Sequence, residues 1–329
     1  MALVILLAGT EPARVAREFA ARAPSLKVRT FVNSGEGGDK SIKTADVRYA
    51  LAWKPQPGVL KRFPKLEAIF SYGAGVDHLL SDPELPAHVP IVRLVDPDLT
   101  QRMSEYVALH TLLHHRRMTE YFGQQSRALW HELEAAAAGD VRVGVMGLGV
   151  LGTSAAKTLT GLGYRVAGWS RTPKTIDGIE TFSGPDGGND GLDRFLARTD
   201  ILAVLLPLTP ATRGIINGAL IDRLSRDGGR STALPGPVLI NAGRGGLQVE
   251  ADILDRLNSG RLHAASLDVF ETEPLPATSP LWRHPRVIIT PHNASTSSPA
   301  AVAGHVLAQI ARLERGERMQ HVVERGRGY

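Results

Sequence analysis

Between Val141 and Lys174 the chain reads VRVGVMGLGVLGTSAAKTLTGLGYRVAGWSRTPK, and this stretch constrains the fold more than any other. An apolar run leads into Gly147, Gly149 and Gly152, spaced G-x-G-x-x-G. A helical pattern of small residues follows, and then a second apolar run, YRVAGWS. The first glycine permits a tight turn, the second lets the backbone approach a pyrophosphate, and the third lets helix and strand pack closely. The start of the helix, at Val150 and Leu151, offers free N–H groups and a dipole that favour an anion. Glycine triplets also arise by chance. The strand before, the helix after and the second strand at the right distance together argue for a dinucleotide-binding βαβ unit.

Such a unit usually carries an acidic residue about 20 positions on, which holds the ribose of NAD. Here the chain reads Trp169-Ser170-Arg171-Thr172, with no Asp or Glu. An acid there would repel a 2′-phosphate. Arg171 can pair with that group through two hydrogen bonds, while Ser170 and Thr172 donate from their hydroxyls. The plainer alternative makes Arg171 a solvated residue after a strand. Its coincidence with the missing acid favours NADP(H), with NAD(H) kept as the second choice.

The first hundred residues alternate short apolar runs with helical or loop stretches. Strands are expected at 3–9, 28–32, 49–53, 66–73 and 90–95, as one α/β unit with a mainly parallel sheet. A long helical pattern starts near Met103, and six β-type runs follow residue 140, enough for a complete doubly wound dinucleotide domain. The last helical stretch begins beyond Pro291-His292, where the chain can cross back. The expected fold is therefore α/β with two doubly wound parallel-sheet domains. A Rossmann cofactor domain, 103–294, is inserted in a flavodoxin-like substrate domain, 1–102 plus 295–329. Gly, Pro and Asp crowd 183–191 and 226–237, which read as surface loops without EF-hand spacing.

At 329 residues the chain can build two cores, and 43% hydrophobic with 22% charged residues is ordinary globular composition. The absence of Cys excludes disulfides, thiolate metal sites and Cys nucleophiles, and it fits a cytoplasmic enzyme. MALVILLAGT lacks a basic n-region and reads as a first buried strand, not a signal peptide. No apolar run approaches the ~18 residues of a membrane span. The net charge of +5 is scattered and forms no nucleic-acid footprint. His110 and His114 lie one helical turn apart with His115 beside them, but Thr111 stands where a zinc protease has Glu. The cluster reads as structural, and no metal site is expected.

Several motifs fall in one order along nearly the whole chain: SYGAGVDHLL, GVMGLGVLG, GWSRT, LLPLTPATRGIIN, NAGRGG, LDVFETEPLP and SPLWRHPRVIITPH. In them the chain resembles the D-isomer-specific 2-hydroxyacid dehydrogenases, and within them the glyoxylate/hydroxypyruvate reductase A branch. The resemblance implies hydride transfer between NADPH and a small 2-keto or 2-hydroxy acid, glyoxylate and hydroxypyruvate first. It implies that Arg244 holds the substrate carboxylate and polarises the keto oxygen, as a fixed guanidinium fork can. His292 would protonate the carbonyl oxygen, and Glu273 would orient the imidazole and keep it charged. Ala74 and Gly75 would present backbone N–H groups to the carboxylate. Asp268 and the Ala242 carbonyl would lie near the nicotinamide carboxamide, with Leu206 and Pro207 lining the cofactor path. Fold relatives pair through the cofactor domain, so a homodimer is expected. Each residue has a plainer alternative: Arg244 capping a loop, His292 as a satisfied turn histidine, Glu273 as a surface charge. Two other functions stay open at this point. One is the same chemistry on another 2-hydroxy acid; the other is a non-catalytic, NAD(P)-sensing interaction protein.

Overall fold

The computed structural model describes residues 2–8, 11–31, 44–184, 191–225 and 234–329. Most of the two Gly/Asp-rich stretches expected as surface loops, 185–190 and 226–233, lies outside the described residues. The chain divides into two compact units, Met1–Leu99 with Thr296–Tyr329, and Thr100–Ser295.

The first unit is built on five parallel strands: β1 (Ala2–Leu7), β2 (Lys27–Thr30), β3 (Val47–Trp53), β4 (Ala68–Ser71) and β5 (Ile91–Val92). Their order, β2-β1-β3-β4-β5, is that of a flavodoxin-like sheet. Every residue of β1 is buried, because a central strand covered on both faces must be apolar throughout. β2, KVRT, borders one side only and keeps charged residues. Helix α1 (Pro12–Arg22) buries Val15 and Phe19. The short α2 (Asp77–Leu80) follows the turn after β4.

Helix α3 (Pro97–His115) begins six residues before the expected Met103. Asp96 caps it, accepting a bond from the Leu99 amide at 3.0 Å, and Pro97 takes the first helical position. Helix α4 (Met118–Gln125) follows at once. The Ala-rich stretch after it is not an α-helix; a single 3₁₀ turn, Ala138–Asp140, leads into the second sheet.

The second unit holds seven parallel strands: β6 (Arg142–Met146), β7 (Arg165–Ser170), β8 (Glu180–Ser183), β9 (Ile201–Val204), β10 (Val238–Asn241), β11 (Ala264–Leu267) and β12 (Val287–Ile289). The order β12-β11-β10-β9-β6-β7-β8 is the doubly wound arrangement, with the glycine turn where the strand order reverses. Sequence patterning finds six of these strands and misses β8. ETFS is a four-residue edge strand with only Phe182 buried, so it lacks the apolar run that marks the others. Alternate residues serve opposite faces: Leu202 and Val204 enter one core with Phe195 and Leu239, while Ile201 and Ala203 enter the other with Val107 and Ile240. Between strands run α5 (Val150–Gly161), α6 (Gly191–Ala197), α7 (Gly218–Ile221) and α8 (Glu250–Asn258). The chain then returns to the first unit as α9 (Pro299–Glu314), capped by the Ser298 hydroxyl and in contact with α1.

Among the described residues, no helix is long and apolar enough to cross a membrane.

Candidate active site and cofactor turn

The glycine turn lies at the carboxyl end of β6, and its three glycines meet different surroundings. A Cβ on Gly147, whose φ is +112°, would stand 2.7 Å from the Leu205 carbonyl oxygen. One on Gly152 would stand 1.8 Å from the Gly147 carbonyl oxygen. One on Gly149 would meet nothing within 4 Å. Two glycines therefore serve close packing, while the middle one leaves room for a ligand. Gly149 also caps α5 without a side-chain bond, so the first amides of that helix are left for an anion. A dinucleotide pyrophosphate fits this turn.

At the end of β7 the Ser170 hydroxyl is buried and donates to the Thr172 carbonyl at 2.8 Å. It shapes the turn from which Arg171 and Thr172 reach solvent, and must exchange this bond to meet a phosphate. Lys174, absent from the sequence-based set, donates to the Leu148 carbonyl inside the glycine turn. A second cation three residues after Arg171 is the signal that could have found it. Leu206 and Pro207 follow β9, the first buried and the second half-buried.

The loops after β10, β11 and β12 carry the candidate site residues Arg244, Glu273 and His292, side by side at the carboxyl edge of the sheet. The turn after β10 is packed tightly. A Cβ on Gly245 would strike the Phe270 carbonyl oxygen at 1.8 Å, so only glycine lets this turn lie against the one after β11. Asn241 donates to the Gln248 side chain at 2.8 Å, and Gln248 donates to the Val269 carbonyl at 2.9 Å. Between these anchors Ala242 is buried, and Arg244 is half-buried with extended backbone, its Nη1 donating to the Gly243 carbonyl at 2.8 Å.

His292 follows β12, and its Nδ1 lies 3.0 and 2.9 Å from the two carboxylate oxygens of Glu273. The Phe270 amide donates to the same carboxylate at 3.3 Å, which orients it toward the imidazole. Nδ1 carries its proton toward Glu273, so Nε2 is the nitrogen left for chemistry. Asp268, just beyond β11, is buried, and its carboxylate accepts bonds from Thr290 Oγ1 at 2.6 Å and from the Asn293 and Ala294 amides at 2.9 and 3.0 Å. Sequence reading missed Thr290, since a Thr at a strand end carries no motif signal of its own.

Ala74 and Gly75 lie in the first unit, in the turn between β4 and α2. The Ser71 hydroxyl donates to the Gly75 carbonyl at 2.9 Å and steadies that turn. The adjacent Gly73 lies against Trp53, whose ring a Cβ would reach at 2.7 Å.

The histidines of α3 are structural. His110 and His114 both bond the Ser266 hydroxyl at 2.8 Å, and His115 bonds the Tyr164 hydroxyl and the Ala136 carbonyl, each at 2.8 Å. Burial pushes His110 down to about 4 and His114 to about 3. Both are neutral at ordinary pH. Among the described residues no group of three or more His, Cys, Asp or Glu side chains is placed to hold a metal ion.

Residues 108–294 match the family described as D-isomer specific 2-hydroxyacid dehydrogenase, NAD binding domain. The chain is 40% identical over 313 residues to a glyoxylate/hydroxypyruvate reductase A of Serratia proteamaculans, covering 94% of this chain and 93% of that protein. Its fold superposes with a TM-score of 0.91 on an NADPH-dependent glyoxylate/hydroxypyruvate reductase of Sinorhizobium meliloti, solved in complex with NADP and sulfate. That structure is 45% identical, and the match covers 100% of this chain and 99% of the other. A D-isomer specific 2-hydroxyacid dehydrogenase of Xanthobacter autotrophicus, solved with NADPH and MES, superposes equally well at 39% identity, covering 100% and 99%. With this agreement over its whole length, the chain belongs to the D-isomer specific 2-hydroxyacid dehydrogenase family.

Proposed function

We propose that the protein is an NADPH-dependent reductase of small 2-keto acids, converting glyoxylate to glycolate and hydroxypyruvate to D-glycerate. The observation that carries this reading is the His292–Glu273 pair, set on the same sheet edge as Arg244 and the glycine turn. Bound NADPH supplies the hydride, which adds to the carbonyl carbon. His292 Nε2 gives its proton to the carbonyl oxygen as that oxygen becomes a hydroxyl. Glu273 holds the imidazole at Nδ1 and stabilises its positive charge before transfer. Arg244 stays charged and holds the substrate carboxylate and keto oxygen through its fork. Ala74 and Gly75 are assigned to the substrate carboxylate, and Ala242 and Asp268 to the nicotinamide end. The outer unit, 1–102 with 295–329, is read as the substrate domain and the rest as the cofactor domain. The setting is read as cytoplasmic, in keeping with a chain that has no Cys.

Arg171, with Lys174 beside it, is assigned to the 2′-phosphate; the NADP and NADPH bound in the two superposed structures support this. Initial rates with NADPH and NADH, on glyoxylate and hydroxypyruvate, test it. Arg171→Asp should raise KM for NADPH by about 10-fold or more and that for NADH far less, because one charge-assisted fork is exchanged for repulsion. Equal effects on both cofactors would remove the assignment.

The partner is proposed to be a second copy of the chain. Leu109, Leu112, Leu113, Met118 and Tyr121, with the charged Arg116, line an open and largely apolar groove on α3 and α4. The extended segment after α4 is tied back by the Tyr121 hydroxyl and Gln124, and it presents Trp130 fully exposed. A groove and a projecting ring on one unit are the complementary parts that a two-fold contact needs. Leu112→Glu should convert the dimer to monomer in light scattering. A wild-type mass that is already monomeric would end this reading.

A further inference from the structure

We propose that Thr290 and Tyr106 are positioning residues for His292, acting through Asp268 to hold the histidine turn in a backbone conformation it does not adopt unaided. The inference rests on the reading of His292 as the proton donor. It adds two residues whose hydroxyls bond neither the imidazole nor its partner Glu273.

His292 has φ +53°, the left-handed region that a residue with a Cβ disfavours. Its amide donates to the Asp268 carbonyl at 2.8 Å and approaches the Thr290 carbonyl at 3.1 Å. The next two amides, Asn293 and Ala294, donate to the two oxygens of the Asp268 carboxylate at 2.9 and 3.0 Å. Three successive N–H groups thus converge on one aspartate, and together they impose the turn that aims the imidazole at Glu273.

The aspartate must itself be held. Thr290 Oγ1 lies 2.6 Å from Asp268 Oδ1 and 2.8 Å from the Tyr106 hydroxyl. A carboxylate only accepts, so the threonine proton points to Asp268 and the tyrosine proton points to Thr290. The chain therefore has a single polarity, Tyr106 to Thr290 to Asp268 to the amides of the histidine turn. Its far end is anchored in the core. Tyr106 is buried on α3, its ring lies 4.1 Å from that of His110, and His110 bonds Ser266 of β11. Helix, strand and turn are joined through the buried hydroxyls of Tyr106 and Ser266 and the half-buried hydroxyl of Thr290, where losing one partner leaves the others less well satisfied.

Thr290→Val keeps the branched shape and removes the hydroxyl. With NADPH and glyoxylate, kcat should fall by about 10-fold, since small misplacements of a reacting group are costly, while the Kd for NADPH stays within about 2-fold. Thr290→Ser should restore kcat. Tyr106→Phe should lose less, about 3-fold, and add nothing to Thr290→Val, because both act in one chain. His292→Ala, assayed alongside, separates this inference from the reading beneath it. If His292→Ala loses turnover and folded Thr290→Val keeps wild-type kcat, positioning is overturned and the proton donor stands. If Thr290→Val loses turnover and Thr290→Ser does not recover it, the role is packing and positioning is overturned as well. If His292→Ala keeps its kcat, both fall. Should Thr290→Val fail to fold, Tyr106→Phe decides: an unchanged kcat there refutes the chain.

Discussion

The turn after β6 and the turn after β12 both place a residue in left-handed backbone, Gly147 at φ +112° and His292 at φ +53°, yet they are held by opposite means. The first is held by exclusion. Two of its three glycines sit where a single added carbon would strike backbone, at Leu205 for Gly147 and at Gly147 itself for Gly152. The second is held by attraction. It contains no glycine, and its shape is maintained by Asp268 and, beyond it, by hydroxyls drawn from Thr290 and Tyr106. A turn built by exclusion writes its requirement at its own positions. A turn built by attraction writes it elsewhere in the chain, in residue types that serve many other purposes.

Alanine at Gly152 and at Gly149 sets the extremes of this contrast. Gly152→Ala should be the most damaging change, costing more than about 3 kcal/mol or preventing folding, since the new carbon meets immovable backbone at 1.8 Å. Urea unfolding of the purified variant measures it, and a wild-type midpoint would mean that the turn is held by something other than exclusion.

The buried histidines under the second turn predict an intermediate effect with a definite sign. His110 and His114 are held neutral, pushed down to about 4 and about 3 by burial, with His110 also lowering His114. In the unfolded chain they titrate near ~6.5, so between that pH and about 4 the unfolded state binds more protons. Stability is therefore complete above pH ~6.5 and falls as the pH drops below it, by up to about 1.4 kcal/mol per pH unit for each histidine. Unfolding free energies at several pH values in this window test the slope, and His114→Gln should roughly halve their contribution. A flat profile would show that the two rings do not reach their buried, neutral state in solution.

The smallest effect on stability belongs to Gly149→Ala. Nothing lies within 4 Å of the added carbon, and the backbone there is extended, so the melting temperature should stay within about 2 °C of wild type. Binding of NADPH should weaken nonetheless, because the methyl group occupies the space left for the pyrophosphate. Unaltered binding would show that the pyrophosphate does not approach at Gly149.

Much of the fold is legible because parallel strands buried on both faces must be continuously apolar, as ALVILL of β1 and ILAV of β9 are. Edge strands escape this rule. β8, with its exposed Glu180 and single buried Phe182, is the strand that patterning misses. The start of α3 is misplaced for a related reason: its first turn is polar, and the cap Asp96 with Pro97 reads equally well as a loop. In the site, Arg244, Glu273 and His292 stand out by motif, and the structure joins two of them directly, Glu273 to His292. Lys174 and Thr290 do not stand out, because their partners are carbonyls or hydroxyls whose proximity no spacing rule encodes.

By itself the sequence determined the glycine turn, the absence of a ribose-binding acid, the parallel α/β character of both sheets and the family, since each is set by steric or apolar demands at the residue concerned. The tertiary structure alone decided which polar groups meet: Tyr106 with Thr290 across 184 positions, Thr290 with Asp268 across 22, and His110 with Ser266 across 156. Hydrogen bonds between distant side chains depend on packing that brings helix α3 to β11 and to the turn after β12, and a hydroxyl carries no sequence sign of the partner it will find.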